Sequence, residues 1–513
     1  MPPDVLSGIQ MSLMPSALLA NAIGVARGII FGALPGLTAT MGVALLIPIT
    51  FGMAPVEAFS ALLGMFCGAI YGGCISAILV GTPGTSAAAA TLLEGPKLTA
   101  KGQSRKALEM ATYSSFIGGI ISTIALITIA PTLAAVAIKF GPTEYFALAI
   151  FGLSIVATLA QGVMLKGILA AALGVFLSTI GIDPVSGDFR NTFDIPALFS
   201  GIPLVPALVG LFAVSQGLSS IEDVFAGHKG LVKYGTLSKA GITLREMRDN
   251  AVNIIRSSVI GTVVGIIPAT GATTSIFIAY AEAKRASKTP ERFGTGTLEG
   301  IAATESANNA VTGGALIPLL TLGIPGDVIT AILLGALMIQ GLTPGPLLFT
   351  KHAVTMYGVF AALFIANIFM LIFGLGAIRV AGKLVHVPNA ILAPLVLSLC
   401  AVGSFAVHNS TFDIAVMAAF GILGYLMLKT GFPQAPLLLG LILGPLAESN
   451  FRRALSLFKN DFSVFVTRPI SGGILLLALL VILRAVYIEV KEFRERQRDA
   501  REERPAGESR RQA

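Results

Sequence analysis

Apolar stretches long enough to approach a hydrocarbon core of ~30 Å recur along the whole chain. They lie near residues 12–33, 37–54, 55–80, 108–131, 143–160, 163–182, 195–219, 257–281, 299–323, 326–341, 353–378, 388–406, 412–428, 432–447 and 470–488. Several are short or interrupted by Pro and Gly, which membrane helices tolerate where neighbouring protein satisfies the freed backbone. The pattern predicts an all-α polytopic membrane protein with roughly 11–14 membrane segments, some of them re-entrant hairpins.

The polar punctuation carries the topology. Four clusters hold most of the basic residues: Lys97, Lys101, Arg105 and Lys106; Lys229, Lys233, Lys239, Arg245, Arg248 and Arg256; Lys284, Arg285, Lys288 and Arg292; and the tail from Arg484 onward. The positive-inside rule assigns all four to the cytoplasm. Only residues 257–281 separate the second cluster from the third, too few for the ~40 that two full passes need. A re-entrant hairpin bending at Pro268-Ala269-Thr270-Gly271 resolves the conflict. Arg452, Arg453 and Lys459 pull the segment 451–468 toward the cytoplasm, against a single pass at 470–488 into a cytoplasmic tail; an interfacial amphipathic stretch is the expectation there.

The same bend occurs earlier. GALPGLTAT (Gly32–Thr40) resembles GIIPATGAT (Gly265–Thr273) at an offset of 233, and GTPGT (Gly81–Thr85) resembles GIPGD (Gly323–Asp327) at an offset of 242. At the second offset Glu57 falls on Glu299 and Gly72 on Gly314. The loop after the first bend lacks basic residues and the loop after GTPG has four; in the second half the order is swapped. Equivalent loops then lie on opposite faces, as in an inverted-topology repeat whose broken helices form a solute site near the midplane. The expected organisation is a first repeat over 1–220, a cytoplasmic linker over 221–256 and a second repeat over 257–450. An interfacial segment and final transmembrane helix over 451–490 and a charged cytoplasmic tail over 491–513 complete it.

Composition agrees and excludes. The 513 residues are 54% hydrophobic and 12% charged, where a soluble domain carries about 25% charged residues. The net charge of +8 is mostly topology, with no nucleic-acid footprint. The N-terminus lacks the Lys and Arg that open a cleaved secretory signal and reads as the mature start. Cys67, Cys74 and Cys400 sit in apolar runs without metal spacing, and the four His form no HExxH. No phosphate-binding GxxxxGK[ST] and no catalytic set is present. The chain reads as a secondary transporter rather than an enzyme, with no cofactor.

Four broken segments carry the candidate chemistry. Substrate-binding candidates are Pro35, Gly36, Thr38 and Thr40; Thr82, Pro83, Gly84, Thr85 and Ser86; Pro268, Thr270, Gly271 and Thr273; and Pro325 and Gly326. Restarting helices offer free N–H groups to a carboxylate, and unwound carbonyls with Thr, Ser or Asn oxygens suit Na⁺. Each Pro could instead simply kink a helix while the hydroxyls satisfy freed carbonyls. Cation-binding candidates are Ser306, Asn308 and Asn309, from the polar patch ESANNAV in an apolar run, with Gly323 and Asp327. Amides at such depth are costly and are functional or tightly paired; helix-to-helix glue is the bland alternative.

The motifs GALPGLTAT, GTPGTSAAAATLLEGP, ESANNAVTGGALIPLLTLGIPGD and FRRALSLFKNDFSVFVTRPISG resemble the large membrane subunit of the tripartite tricarboxylate transporters, the TctA family, over roughly residues 15–475. The resemblance implies a bacterial inner-membrane symporter coupled to a cation, Na⁺ by preference. It implies a small four-helix membrane subunit and a periplasmic solute-binding protein as partners, with a tricarboxylate, dicarboxylate or aromatic acid as substrate. A stand-alone anion transporter or channel without a binding protein is the alternative.

Overall fold

The computed structural model describes residues 3–34, 37–82, 84–154, 163–183, 186–225, 240–267, 271–384 and 389–502. It is helical nearly throughout, with one two-stranded hairpin, Gly181–Ile182 against Phe189–Arg190, among the described residues. The chain is an all-α polytopic membrane protein. Among the described residues, seven helices are long and apolar enough to cross a membrane, and several shorter apolar helices join them. Contacts divide the chain into two units, Met1–Lys139 with Pro203–Leu426, and Phe140–Ile202 with Met427–Ala513.

The first unit begins with α1 (Pro3–Ser12), α2 (Pro15–Ala33), α3 (Ala39–Thr50) and α4 (Pro55–Val80). Two 3-10 turns, Ser86–Ala88 and Ala90–Leu93, precede α5 (Gly95–Ala100) and α6 (Ser104–Ala137). Its later helices are α9 (Leu204–Leu208), a π turn (Val209–Val214) and α10 (Ser215–Phe225), numbered after α7 (Pro142–Ser154) and α8 (Met164–Ser178) of the second unit. Then come α11 (Leu244–Ile266), α12 (Gly271–Ala286), α13 (Leu298–Leu322), α14 (Val328–Ile339), α15 (Leu348–Lys351), α16 (Ala353–Leu384), α17 (Asn389–His408) and α18 (Thr411–Thr430).

Helices α4 and α13 are its axis. Every residue from Ala58 to Leu79 and from Gly300 to Thr321 is buried, so neither helix keeps a solvent-facing side. Small residues let the neighbours approach to backbone distance. A Cβ on Gly28 would lie 2.5 Å from the Met65 carbonyl oxygen, and one on Gly32 would lie 2.2 Å from that of Ala69. At the expected offsets the second half repeats both contacts, Gly261 with Ala307 at 2.4 Å and Gly265 with Val311 at 3.0 Å. The reciprocal pair recurs as well: Gly72 with Ile29 at 2.5 Å becomes Gly314 with Thr262 at 2.5 Å.

Three basic clusters meet at one end of this unit. Lys97 and Lys101 donate to the carbonyls of Gly294 and Gly296, Lys106 pairs with Glu246 at 2.6 Å, and Glu109 accepts from the Ile242 amide. Helix α4 runs toward that end, where Thr99 donates to the Ile78 carbonyl. Helix α13 starts from it and runs away. The segment 257–281 is no single pass: α11, opened by a Thr243–Glu246 capping box, goes in, and α12 returns. Both legs are tied to the start of α13, through Asn253 to the Glu299 carbonyl at 2.8 Å and Ser287 to the Glu299 carboxylate at 2.9 Å. In the first half Ser16 likewise donates to the Glu57 carboxylate at the start of α4.

The second unit is built from α7, α8, α19 (Gln434–Leu457), α20 (Val464–Thr467) and α21 (Pro469–Glu502). A Cβ on Gly440 would lie 2.2 Å from the Ala171 carbonyl oxygen, a close approach of α19 to α8. Within the first unit Gly210 stands in the same relation to Met417, at 2.3 Å. Here two of the four basic residues of 451–468 form ion pairs. Arg452 pairs with Asp183 at 2.8 Å and with Glu448 at 3.1 Å, and Arg468 pairs with the buried Glu144 at 2.9 Å. The segment packs through Phe451 and Phe465 against Phe146. Lys166, unplaced by sequence, donates to the Thr430 carbonyl at 2.6 Å. In the first unit Asp413 pairs with His408 at 2.6 Å.

Candidate functional site

The breaks fall where the spacing puts them. Helices α4 and α13 end in left-handed glycines, Gly81 at φ 73° and Gly323 at φ 71°, conformations that a Cβ disfavours. Each chain then folds back along its own helix. Gly84 donates to the Gly73 carbonyl at 3.3 Å, and a Cβ on it would lie 1.8 Å from the Gly32 carbonyl oxygen. Gly326 faces the equivalent atoms, with a Cβ 2.7 Å from that of Ala315 and 2.8 Å from the Gly265 carbonyl oxygen. Both turns are therefore pressed on the last carbonyls of the bent helices α2 and α11.

The structure brings the four segments together in pairs. The first bend meets the first turn at Gly32 and Gly84. Gly271, at φ 62°, faces Asp327 with a Cβ-to-Cβ distance of 3.9 Å, so the second bend meets the second turn. The Asn308 amide donates to the Ile70 carbonyl at 3.4 Å, which sets α4 and α13 level at that point and antiparallel. Gly73 and Ala315 then lie on the order of 15 Å apart along the helices. The pairs are joined by packing, the turn 86–88 on α12 and α3 on α14. Helices α3 and α14 have 12 residues each, about 18 Å of rise, too short to cross a membrane.

Individual side chains sort further. Thr38 caps α3 by accepting from the Met41 amide at 3.1 Å. Thr40 is half-buried, Thr82, Ser86 and Thr273 are exposed, and Pro325 is buried. Thr85 and, on α12, Ser275 are buried with hydroxyls that find no partner among the described residues. Asp327 caps α14, its Oδ1 accepting from the Thr330 amide and hydroxyl, each at 2.7 Å. Ser306 donates to the Ala302 carbonyl of its own helix at 2.7 Å. Asn309 faces Met370 of α16, its amide 3.9 Å from the sulfur. Gly326 lies beside Ala315, seven residues from Asn308 and hence about 10 Å along the helix; the two amides and Asp327 are separate places. Pro35, Gly36, Pro83, Pro268 and Thr270 lie outside the described residues.

Two carboxylates, Glu94 and the Glu305 of ESANNAV, make contacts that spacing did not reveal. Glu94, fully buried at the end of the second 3-10 turn, accepts from the Gly296 and Thr297 amides at 2.7 and 2.9 Å, from the Gly294 amide, and from the Tyr280 hydroxyl at 2.7 Å. It fastens the first turn to the loop that opens α13. Glu305, fully buried on α13, accepts from Thr91 of the same turn. The available signal for both was a lone acid at the edge of, or within, an apolar run.

Compared with known proteins, residues 18–439 match the tripartite tricarboxylate transporter TctA family. The chain belongs to that family. It is 36% identical over 489 residues, 95% of this chain and 97% of the relative, to the "uncharacterized 52.8 kDa protein in TAR-I ttuC' 3'region" of Agrobacterium vitis. It is 37% identical over 235 residues to an "uncharacterized protein in TAR-II ttuC' 3'region" of the same organism, covering 46% of this chain and 97% of the relative. No solved structure matches. As a TctA protein the chain is a transporter-type membrane subunit of a tripartite system. The broken helices described above all fall within the matched residues.

Proposed function

We propose that this TctA chain imports small carboxylates by symport with a monovalent cation, Na⁺, across the bacterial inner membrane. In this reading it is fed by a periplasmic solute-binding protein and assembled with a small four-helix membrane subunit. The basic end of the first unit and the C-terminal tail face the cytoplasm. The observation that carries the reading is the doubled contact of Gly84 on Gly32 and Gly326 on Gly265, on axis helices that run in opposite directions. Irregular backbone at membrane depth belongs where it lines a solute path, and its inverted repetition is the plan of secondary transporters. The recurring contacts, between residues 28–84 and 261–326, support the repeat on which the reading rests.

Reconstitution tests it directly. Proteoliposomes holding the chain and the small subunit, supplied with the binding protein, should show saturable carboxylate uptake that follows an imposed Na⁺ gradient. Uptake linear in solute and indifferent to the gradient would identify a channel. Full uptake without the binding protein would identify a stand-alone transporter.

A further inference from the structure

We propose that Glu305, with the oxygens of Thr91, Thr304, Ser115 and Asn308, is the binding site for the coupling Na⁺. The inference rests on the symport reading and deepens it, because it places the cation away from the helix breaks. Glu305 is fully buried, and no basic side chain pairs with it among the described residues. An ionised carboxylate held that way is costly by several kcal/mol unless a positive charge joins it. Its neighbours are neutral oxygen-bearing side chains: Thr91, Ser115 and Asn308 all reach the carboxylate. Thr91 Oγ1 donates to Glu305 Oε1 and lies 3.1 Å from Thr304 Oγ1. The Thr304 proton points back to the carbonyls of Gly300 and Ile301, at 3.1 and 3.2 Å, leaving its lone pairs free. Ser115 Oγ stands 3.4 Å from Glu305 Oε2. The Asn308 side chain reaches the same carboxylate, and its Oδ1 is buried with no hydrogen-bond partner among the described residues.

Hard monovalent cations are held by such carboxylate, hydroxyl and amide oxygens. The ligands come from three elements: the turn 90–93, α6 and α13. Thr91 lies on the same short turn pair as Gly84 and Thr85, so a cation at Glu305 fixes the segment that presses on the first bend. That is a physical route for coupling, since the ion favours one placement of the solute-facing turn.

The test uses the purified full chain without solute or partners, so it can fail independently of the transport reading. Na⁺ titration, followed by thermal stability and by ²²Na⁺ binding, should saturate in the wild type, with K⁺ ineffective. Glu305→Gln should lower the apparent Na⁺ affinity at least about 100-fold, and Thr91→Val and Ser115→Ala about 10-fold each. Should Glu305→Gln not reach the membrane, the two hydroxyl variants decide. Unchanged Na⁺ affinity in both, or in Glu305→Gln, overturns the site even if uptake is Na⁺-driven. With carboxylate added in a second experiment, a wild type that binds no Na⁺ but takes up a proton on carboxylate binding, lost in Glu305→Gln, overturns it in favour of a protonation site. Na⁺ binding that follows the expected pattern in a protein incapable of carboxylate uptake keeps the site and removes the symport reading.

Discussion

In the first half the chain leaves α4 at Gly81 and drops into two 3-10 turns; in the second it leaves α13 at Gly323 and enters the 12-residue helix α14. The entry is shared, down to the glycine φ and the carbonyl each turn presses against. The difference lies in what holds the turn afterwards. Helix α14 is closed locally by its own Asp327–Thr330 capping box. The first turn has no side-chain cap and is held from a distance, through Thr91 to Glu305 on α13 and through Glu94 to the loop 294–297. Local bonds persist whatever the surroundings do, whereas distant ones give way when their partners move. On the symport reading, the second turn is the scaffold and the first the part able to respond to solute and ion.

The largest expected contrast is all-or-none and concerns direction. Cysteines at Lys101 and Lys288, both exposed near the basic end, should label with an impermeant thiol reagent from one face only. A cysteine at Ala54, before α4, should label from the other. Labelling of Lys101 and Lys288 positions from opposite faces would end the inversion and the comparison with it.

Next comes the severity of the two close approaches. A Cβ on Gly84 falls 1.8 Å from a backbone oxygen, where nothing flexible can yield; at Gly326 the nearest atoms stand at 2.7 and 2.8 Å. Gly84→Ala should already reduce uptake per inserted molecule to background, while Gly326→Ala retains part of it and Gly326→Val loses it. Overpacking of this kind costs about 1–3 kcal/mol or more. Equal tolerance of Ala at both sites, read as uptake divided by membrane abundance, would remove the difference between the turns.

Glu94 should separate distant from local fixation. In Glu94→Gln one carboxylate oxygen becomes an amide that faces backbone N–H groups, leaving a buried donor unmatched at about 1–3 kcal/mol. The expected result is a lower melting temperature and faster hydrogen exchange of the 294–297 amides, with the α14 amides unchanged. Exchange that rises equally in both turns would mean that they unfold as one unit.

Much of this was legible in the sequence because the physics there is local. Apolar length gives the helices, Gly-x-Pro-Gly gives the breaks, and charge gives the end at which Lys97, Lys101, Lys106 and Lys288 gather. The repeat was readable since offsets of 233 and 242 preserve residue types that close helix packing demands. The pairing of the four breaks was not, because residues 32 and 84 meet only after α4 has run its length and turned back. Nor was the work of Glu94 and Glu305, whose partners lie about 200 residues away. Single charges in apolar runs say that something must satisfy them, without saying what. Conversely Ser306, which looked available, donates its proton to its own helix at Ala302, a habit of Ser in helices that spacing does not exclude. The Arg452 and Arg468 ion pairs likewise join segments far apart in the chain, and spacing could not have named their partners.

The smallest expected effect belongs to Asp327, and it asks whether the second turn is scaffold alone. Its Oδ1 accepts from the Thr330 amide and hydroxyl, a task that an asparagine oxygen performs nearly as well. Asp327→Asn should therefore shift stability by less than about 0.5 kcal/mol, and Asp327→Ala should cost about 1 kcal/mol. If the cation sits at Glu305, Asp327→Asn should leave the Na⁺ concentration for half-maximal uptake within about 2-fold of wild type, since a lost ligand would cost 10-fold or more. Loss of Na⁺ dependence in Asp327→Asn, with stability unchanged, would give the second turn a cation of its own. The two halves would then differ in which ion or solute they hold rather than in how they are held.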